Sequence, residues 1–352
     1  MPKNAILKGS KPYFFTPGTF NNFIPMNIDP ILKNDWHPVA AVRDLPEETI
    51  TPVCLLGEEL LLWQSGDRIM AWQDICPHRG ARLSQGKVCG DTLVCPYHGL
   101  AYNPGGQCVL IPAYSTPKPP PNMRVQAYSC VERYGLVWVN LGETEAALSS
   151  DKIPPFLEWE DANFRKFLCG PFRYHSSGWR AMENFIDVSH FPFVHDGFLG
   201  DANHTEVSDY EVKTDAEGIS LNNLKVWQPD PDGTGVGGEV TYNYRIWRPL
   251  TASFAKAAQG GKLGLFFTIT PLEEEVCLGW MWIAMNYGQD IPEEALRQFQ
   301  ETVVQQDIPI VESQRPKRLP LDLAAEVHLA CDQSAIAYRK WLKRLGVTYG
   351  TV

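Results

Sequence analysis

The sequence predicts an α+β protein in two parts, a small antiparallel β domain followed by a larger domain with a sizeable antiparallel sheet and a few helices. Two observations carry this. Residues 36–141 are short apolar and β-branched runs broken by turn residues. Beyond a polar linker, longer strand-like runs are flanked by two stretches of helical periodicity. The chain has 352 residues, 44% of them hydrophobic, which is enough for two ordinary cores.

The first 35 residues read as an N-terminal extension. The opening MPKNAILKGSKPYFF lacks the apolar core and cleavage site of a secretory signal, and no run of 18 apolar residues occurs, so the expectation is a soluble cytoplasmic protein without a membrane span. From Trp36 the runs PVCLLGEELLLW, IMAW and YGLVWVNL, with turns at Ser65-Gly66-Asp67 and Asn103-Pro-Gly-Gly106, make the β domain, 36–145. Ser115–Pro121 is a proline-rich connector. Leu141–Pro155 is the linker to the second domain, 146–352.

That second domain opens on a helical stretch, Trp179–His190, with apolar residues at 179, 182, 185, 186 and 191. Strands are expected within Glu206–Trp227, Glu239–Trp247, Leu263–Ile269 and Val276–Asn286. A late helix begins at Pro292-Glu-Glu, as helix N-termini prefer, and carries an apolar stripe of Leu296, Phe299, Val303, Ile310 and Val311.

The net charge of −10 argues against nucleic acid as a partner. Between Asp67 and Asn140, however, seven Lys/Arg stand against four Asp/Glu, so this segment could steer a small acidic partner. Seven of the nine cysteines have no paired histidine and read as plain thiols. The other two lie in CPHRGARLSQGKVCGDTLVCPYH, where Cys76 and His78 form one proline-stiffened knuckle and Cys95 and His98 another. Two Cys and two His suit either a tetrahedral zinc or an iron–sulfur centre, and spacing alone leaves both open. Glycines at 80, 99, 105 and 106 would let backbone N–H groups approach the sulfurs of a cluster.

A second candidate site lies in Glu183–His195, ENFIDVSHFPFVH. In a regular helix His190 and His195 would point about 140° apart. Pro192 is expected to open the helix between them so that both imidazoles reach one ion. Asn184, Asp187 and His190 recur every three residues, so Asp187 sits beside the first histidine. Two histidines need a carboxylate to complete a non-haem iron site. Asp307, on the apolar stripe of the late helix, must be paired, protonated or ligated, and Glu312 is its rival.

CPHRGARLS with LVCPYHGLAYNPGGQC resembles the Rieske signature of the aromatic-ring-hydroxylating oxygenases. NFIDVSHFPFVH and QDIPIVESQRP resemble the iron-binding segments of the same Rieske non-haem iron oxygenases, particularly the caffeine N-demethylase, saxitoxin-pathway hydroxylase and vanillate O-demethylase group. One departure is Leu100, where the family usually has Trp.

The resemblance implies a Rieske domain followed by a helix-grip catalytic domain. It implies a [2Fe–2S] cluster with Cys76 and Cys95 on one iron and His78 and His98 on the other, and a mononuclear Fe(II) held by His190, His195 and Asp307. Asn184 and Asp187 would serve catalysis beside that iron, Asp187 bridging to the cluster histidine of a neighbouring subunit in a head-to-tail homotrimer. Electrons would come from NAD(P)H through a ferredoxin or a flavin/iron–sulfur reductase. The reaction implied is O₂-dependent hydroxylation or oxidative N- or O-demethylation of a small ring compound, whose pocket Phe185, Phe191, Phe193 and Trp247 could line. A Rieske electron carrier would leave His190, His195 and Asp307 idle. The pigment-pathway oxygenases of the superfamily carry a C-terminal membrane anchor, which RKWLKRLGVTYGTV does not resemble.

Overall fold

The computed structural model describes residues 28–114, 118–142, 149–258 and 261–352. Most of the expected N-terminal extension, the start of the proline-rich connector and the middle of the linker lie outside them. The chain divides into two compact units, one drawn chiefly from residues 40–53 and 59–137, the other from 28–39, 54–58 and 138–352. No described helix is long and apolar enough to cross a membrane.

In the first unit Ala127–Arg133, Arg68–Gln73, Glu58–Ser65 and Ile50–Leu55 lie side by side in one sheet. A smaller antiparallel sheet is formed by Lys87–Cys89, Thr92–Val94, Ala101–Tyr102 and Cys108–Leu110. Trp63 and Trp72 meet edge to face at 4.9 Å in a core that also takes in Leu61, Leu83, Leu93, Leu100 and Tyr102. Cys76 and Cys95 belong to the same core. Both cysteine knuckles are thus anchored on packed side chains, and Leu100 fills its place among them.

The second unit is built on seven antiparallel strands in the spatial order Arg165–Tyr174, Val276–Met285, Gly261–Glu273, Thr251–Ala258, Gly238–Arg248, Ile219–Gln228 and Glu211–Thr214. The expected run from Glu206 to Trp227 is two strands, because the Asp215 carboxylate accepts the N–H groups of Glu217 and Gly218 and turns the chain there. Two strands have no counterpart in the sequence reading. Arg165–Tyr174 contains Gly170-Pro171, which reads as a breaker, and the sheet absorbs it as a register shift between Cys169 and Phe172. Thr251–Ala258, TASFAKAA, has low strand propensity and is held by neighbours on both sides.

Four helices matter for the site: α1 (Gly178–Phe185), α2 (Phe191–Val194), α3 (Glu293–Ser313) and α4 (Gln333–Leu345). The helix expected over Trp179–His190 stops at Phe185. Asp187 accepts hydrogen bonds from the Ser189 N–H and hydroxyl at 2.8 and 2.6 Å, a local alternative to helical bonding. Pro192 therefore does not open a continuous helix. It occupies the first turn of α2, where a missing N–H costs nothing.

In α3 the buried residues are Val303, Val304 and Val311, while Phe299 and Ile310 of the expected stripe are exposed. Pro309 lies inside this helix. Buried Arg339 of α4 grips Glu183 of α1 with two hydrogen bonds of 2.6 and 2.7 Å and also reaches Glu326, so α1 is pinned by a charged network.

Candidate functional sites

The two knuckles of the first unit have the same backbone. In each, the cysteine N–H donates to the carbonyl five residues on, from Cys76 to Ala81 and from Cys95 to Leu100, both at 2.8 Å. In each, the glycine four residues on donates back to the cysteine carbonyl, from Gly80 to Cys76 and from Gly99 to Cys95. Both glycines have positive φ, 71° and 68°, which the reversal requires. Their own N–H groups close the loops and do not address the sulfurs. Backbone amides at Tyr97 and His98 are the ones that favour the Cys95 thiolate.

Cys76 and Cys95 are buried, and His78 and His98 face each other with ring centroids 4.6 Å apart. Burial raises the Cys95 thiol, and the neighbouring Cys76 raises it further, so two thiolates here need a cation. Nδ1 of His78 is buried and has no hydrogen-bond partner among the described residues. An orphaned imidazole nitrogen beside two paired thiols is the donor set a [2Fe–2S] cluster of Rieske type uses. Tyr102 adds a hydroxyl 3.2 Å from the Cys76 sulfur, a contact the sequence reading missed.

In the second unit, among the described residues, the set of three metal-ligating side chains that closes to within 4.8 Å is His190, His195 and Asp307. Nε2 of His190 and Nε2 of His195 are 3.3 Å apart, and Oδ1 of Asp307 lies 3.3 and 3.1 Å from them. The rival Glu312 points elsewhere and accepts the His175 N–H at 2.7 Å. The break after α1 sets His190 at the head of α2 and His195 at its end, one short turn apart, while α3 brings in Asp307.

Each of the three is held by a further side chain. Nδ1 of His190 is 2.9 Å from Oδ2 of Asp187, Nδ1 of His195 is 2.8 Å from Oε1 of Gln306, and Asn184 donates to Asp307 at 3.3 Å. Such contacts fix the tautomer that leaves both Nε2 atoms free to ligate. Asn184 and Asp187 thus flank the set, as their spacing suggested. Gln306 was not singled out in the sequence, and its only signal there is its place next to Asp307.

Burial works against charge on His190, but the Asp187 and Asp307 carboxylates outweigh it and lift the imidazole to about 9. Burial likewise opposes charge on Asp307, yet the two histidines hold it below the usual carboxylate range. The pocket therefore favours positive charge between these groups, which a divalent cation satisfies without the protons.

The three residues lie in the wall of a cavity of about 110 Å³, on the scale at which protein cavities admit a benzene-sized ring. Most of the rest of the lining is aromatic and aliphatic, including Phe185, Phe191, Tyr242, Tyr244, Phe254 and Phe267, with Lys256 and Gln300 as polar exceptions. Two expected lining residues are absent from it. Phe193 is 68% exposed, and Trp247 donates its indole N–H to Ser253 at 2.8 Å.

Residues 35–129 match the Rieske [2Fe-2S] domain and residues 174–348 the vanillate O-demethylase oxygenase C-terminal domain. The chain is 31% identical to the methylxanthine N1-demethylase NdmA of Pseudomonas putida over 89% of each protein. The structure of NdmA with caffeine superposes with a TM-score of 0.77, covering 89% of this chain and 90% of that one. The vanillate O-demethylase oxygenase subunit of a Pseudomonas species is 27% identical over 83% of this chain and 95% of its own. Dicamba monooxygenase bound to dicamba superposes with a TM-score of 0.75 at 25% identity, over 89% and 97% of the two chains. With a Rieske domain whose knuckles suit a [2Fe–2S] cluster and a second unit with two histidines and a carboxylate suited to iron, the chain belongs to the Rieske non-haem iron oxygenases.

Proposed function

We propose that this chain is the oxygenase component of a system that hydroxylates, or oxidatively removes an N- or O-methyl group from, a small ring compound. The observation that carries the reading is the set of two histidines and one carboxylate in the wall of an aromatic-lined cavity of single-ring size. Cys76, Cys95, His78 and His98 would hold the [2Fe–2S] cluster, and His190, His195 and Asp307 the mononuclear Fe(II). When bound, the cluster supplies stored electrons and the iron supplies an open site for O₂ chemistry.

The chain's own residues supply the rest. Asp187, Gln306 and Asn184 orient the three ligands. The aromatic walls shed water and place a flat ring against the histidines. The Asp187 side chain keeps 35% of its surface exposed, which leaves it open to a histidine of a neighbouring copy and supports a head-to-tail homotrimer. The electron source is a ferredoxin or a flavin/iron–sulfur reductase fed by NAD(P)H, and the cell compartment is the cytoplasm.

Metal and sulfide analysis tests the reading. Purified protein is coloured and carries roughly three irons and two sulfides per chain. Asp307→Ala leaves roughly two irons with the visible spectrum unchanged. Retention of the third iron in that variant excludes Asp307 as a ligand, and a colourless zinc protein overturns the proposal.

A further inference from the structure

The cavity contains one charged residue that the iron site does not use. Lys256, on the strand Thr251–Ala258, is 8% exposed and faces the cavity between Tyr242 and Leu263, its register partners on the adjoining strands. Phe254, two residues earlier and therefore on the same face, stacks on Phe185 with centroids 5.8 Å apart. Phe191, which stands between His190 and His195 in sequence, meets the Tyr242 ring at 6.2 Å. The wall thus links the histidines through Phe191 to Tyr242, whose register partner is Lys256.

The Lys256 ammonium has three N–H donors. It donates to Oε1 of Gln228 at 3.0 Å and to the Pro231 carbonyl at 2.7 Å, both neutral acceptors. Among the described residues no carboxylate forms an ion pair with it and no acceptor takes the third donor. Asp230 and Asp232 act on it from further away. Gln228 is itself spent, donating to the Tyr242 hydroxyl at 2.9 Å and to the Leu199 carbonyl at 3.3 Å. A lysine buried with no carboxylate in contact is costly, and burial lowers this one to about 8 against the pull of Asp232 and Asp230. An aliphatic side chain would pack the same wall without burying a charge.

We propose that Lys256 is a specificity-determining residue of the oxygenase, its spare N–H binding a carboxylate carried on the substrate ring while the ring lies on Phe191 and Tyr242 toward the histidines. This rests on the oxygenase reading of the cavity. It narrows the substrate class to ring carboxylates and makes neutral rings of the same shape poor ligands. The ion pair forms in a site that excludes water, where a charge-assisted hydrogen bond is strongest.

The test is binding of 4-methoxybenzoate and its neutral isostere 4-methoxybenzamide to the iron-loaded holoenzyme at neutral pH, followed by calorimetry. The wild type binds the acid at least tenfold more tightly than the amide. In Lys256→Met the acid loses tenfold or more and the amide changes less than twofold, while the visible spectrum, iron content and melting temperature show that the protein is folded and loaded. Lys256→Arg, which keeps the charge, retains a preference for the acid. A lysine that only pins the Gln228–Pro231 loop would weaken both ligands alike, and that result overturns the proposal. So does equal affinity of the wild type for the two, or binding of neither at millimolar concentration. Iron content and O₂ uptake with other ring compounds report on the oxygenase reading separately, so failure of the acid–amide preference leaves that reading standing.

Discussion

Gln306 offers the sharpest test of how the iron site is built. Its Oε1 is 2.8 Å from Nδ1 of His195, whose side chain is 1% exposed. In Gln306→Leu the Nδ1–H of His195 is left buried with no acceptor. An unmet donor of this kind costs about 1–3 kcal/mol, and at about 1.4 kcal/mol per decade that is roughly a 5- to 150-fold loss in iron affinity. Removing the outer partner of a metal-bound histidine typically costs about 10–100-fold, in the same range. The assay is competition for Fe(II) against a chelator of known affinity, with the cluster spectrum as an internal standard for folding. Gln306→Glu keeps an acceptor in place and should bind iron at least as well as the wild type. Unchanged iron affinity in Gln306→Leu, or an equal loss in Gln306→Glu, would refute the orienting role.

Three further outcomes follow from the structure. Asp187→Asn preserves an oxygen for Nδ1 of His190, so iron stays bound while turnover falls at least about tenfold through loss of the carboxylate's charge; normal turnover coupled to product removes Asp187 from the catalytic set. Gly200→Ala should lose iron and keep the cluster spectrum, because a Cβ there would sit 2.5 Å from the Phe191–Pro192 peptide that positions both histidines; wild-type iron content shows the loop can yield. The stability difference between Lys256→Met and the wild type should change by up to roughly 3 kcal/mol in the wild type's favour between pH 7 and pH 11, the order expected for a lysine moved from 10.5 to about 8, on top of a pH-independent cost of leaving Gln228 Oε1 unmet. Between about pH 8 and 10.5 the unfolded wild type binds more protons than the folded, so wild-type stability rises with pH. A difference independent of pH in denaturant titrations counts against a buried ammonium.

The closely spaced metal-ligating residues were legible in the sequence. Each cysteine knuckle closes within five residues, by a cysteine, a proline that stiffens it and a glycine that reverses it, so CPHRGA and CPYHGL announce themselves. His190 and His195 are five residues apart and could be paired on paper, although the reason given, a helix opened by Pro192, was wrong. The break is made earlier by Asp187 bonding to Ser189, a competition between side chain and backbone that helical periodicity does not reveal.

What acts across the sheet or between distant segments was decided by the tertiary structure alone. The apolar stripe favoured Asp307 over Glu312, but it is the late helix's seating on the strand Arg165–Tyr174 that turns Asp307 to the histidines and Glu312 to the His175 N–H. Strand register did the same for the cavity. It set Tyr242, Phe254 and Lys256 on the inner face and left Trp247 outside it, because side chains alternate along a strand and pairing decides which face is covered. By itself, then, the sequence determined the two Cys/His knuckles and the histidine pair, since those depend on short spacing. The tertiary structure decided which carboxylate joins the histidines and which lysine waits beside them, because those depend on residues tens to more than a hundred positions apart meeting in one cavity.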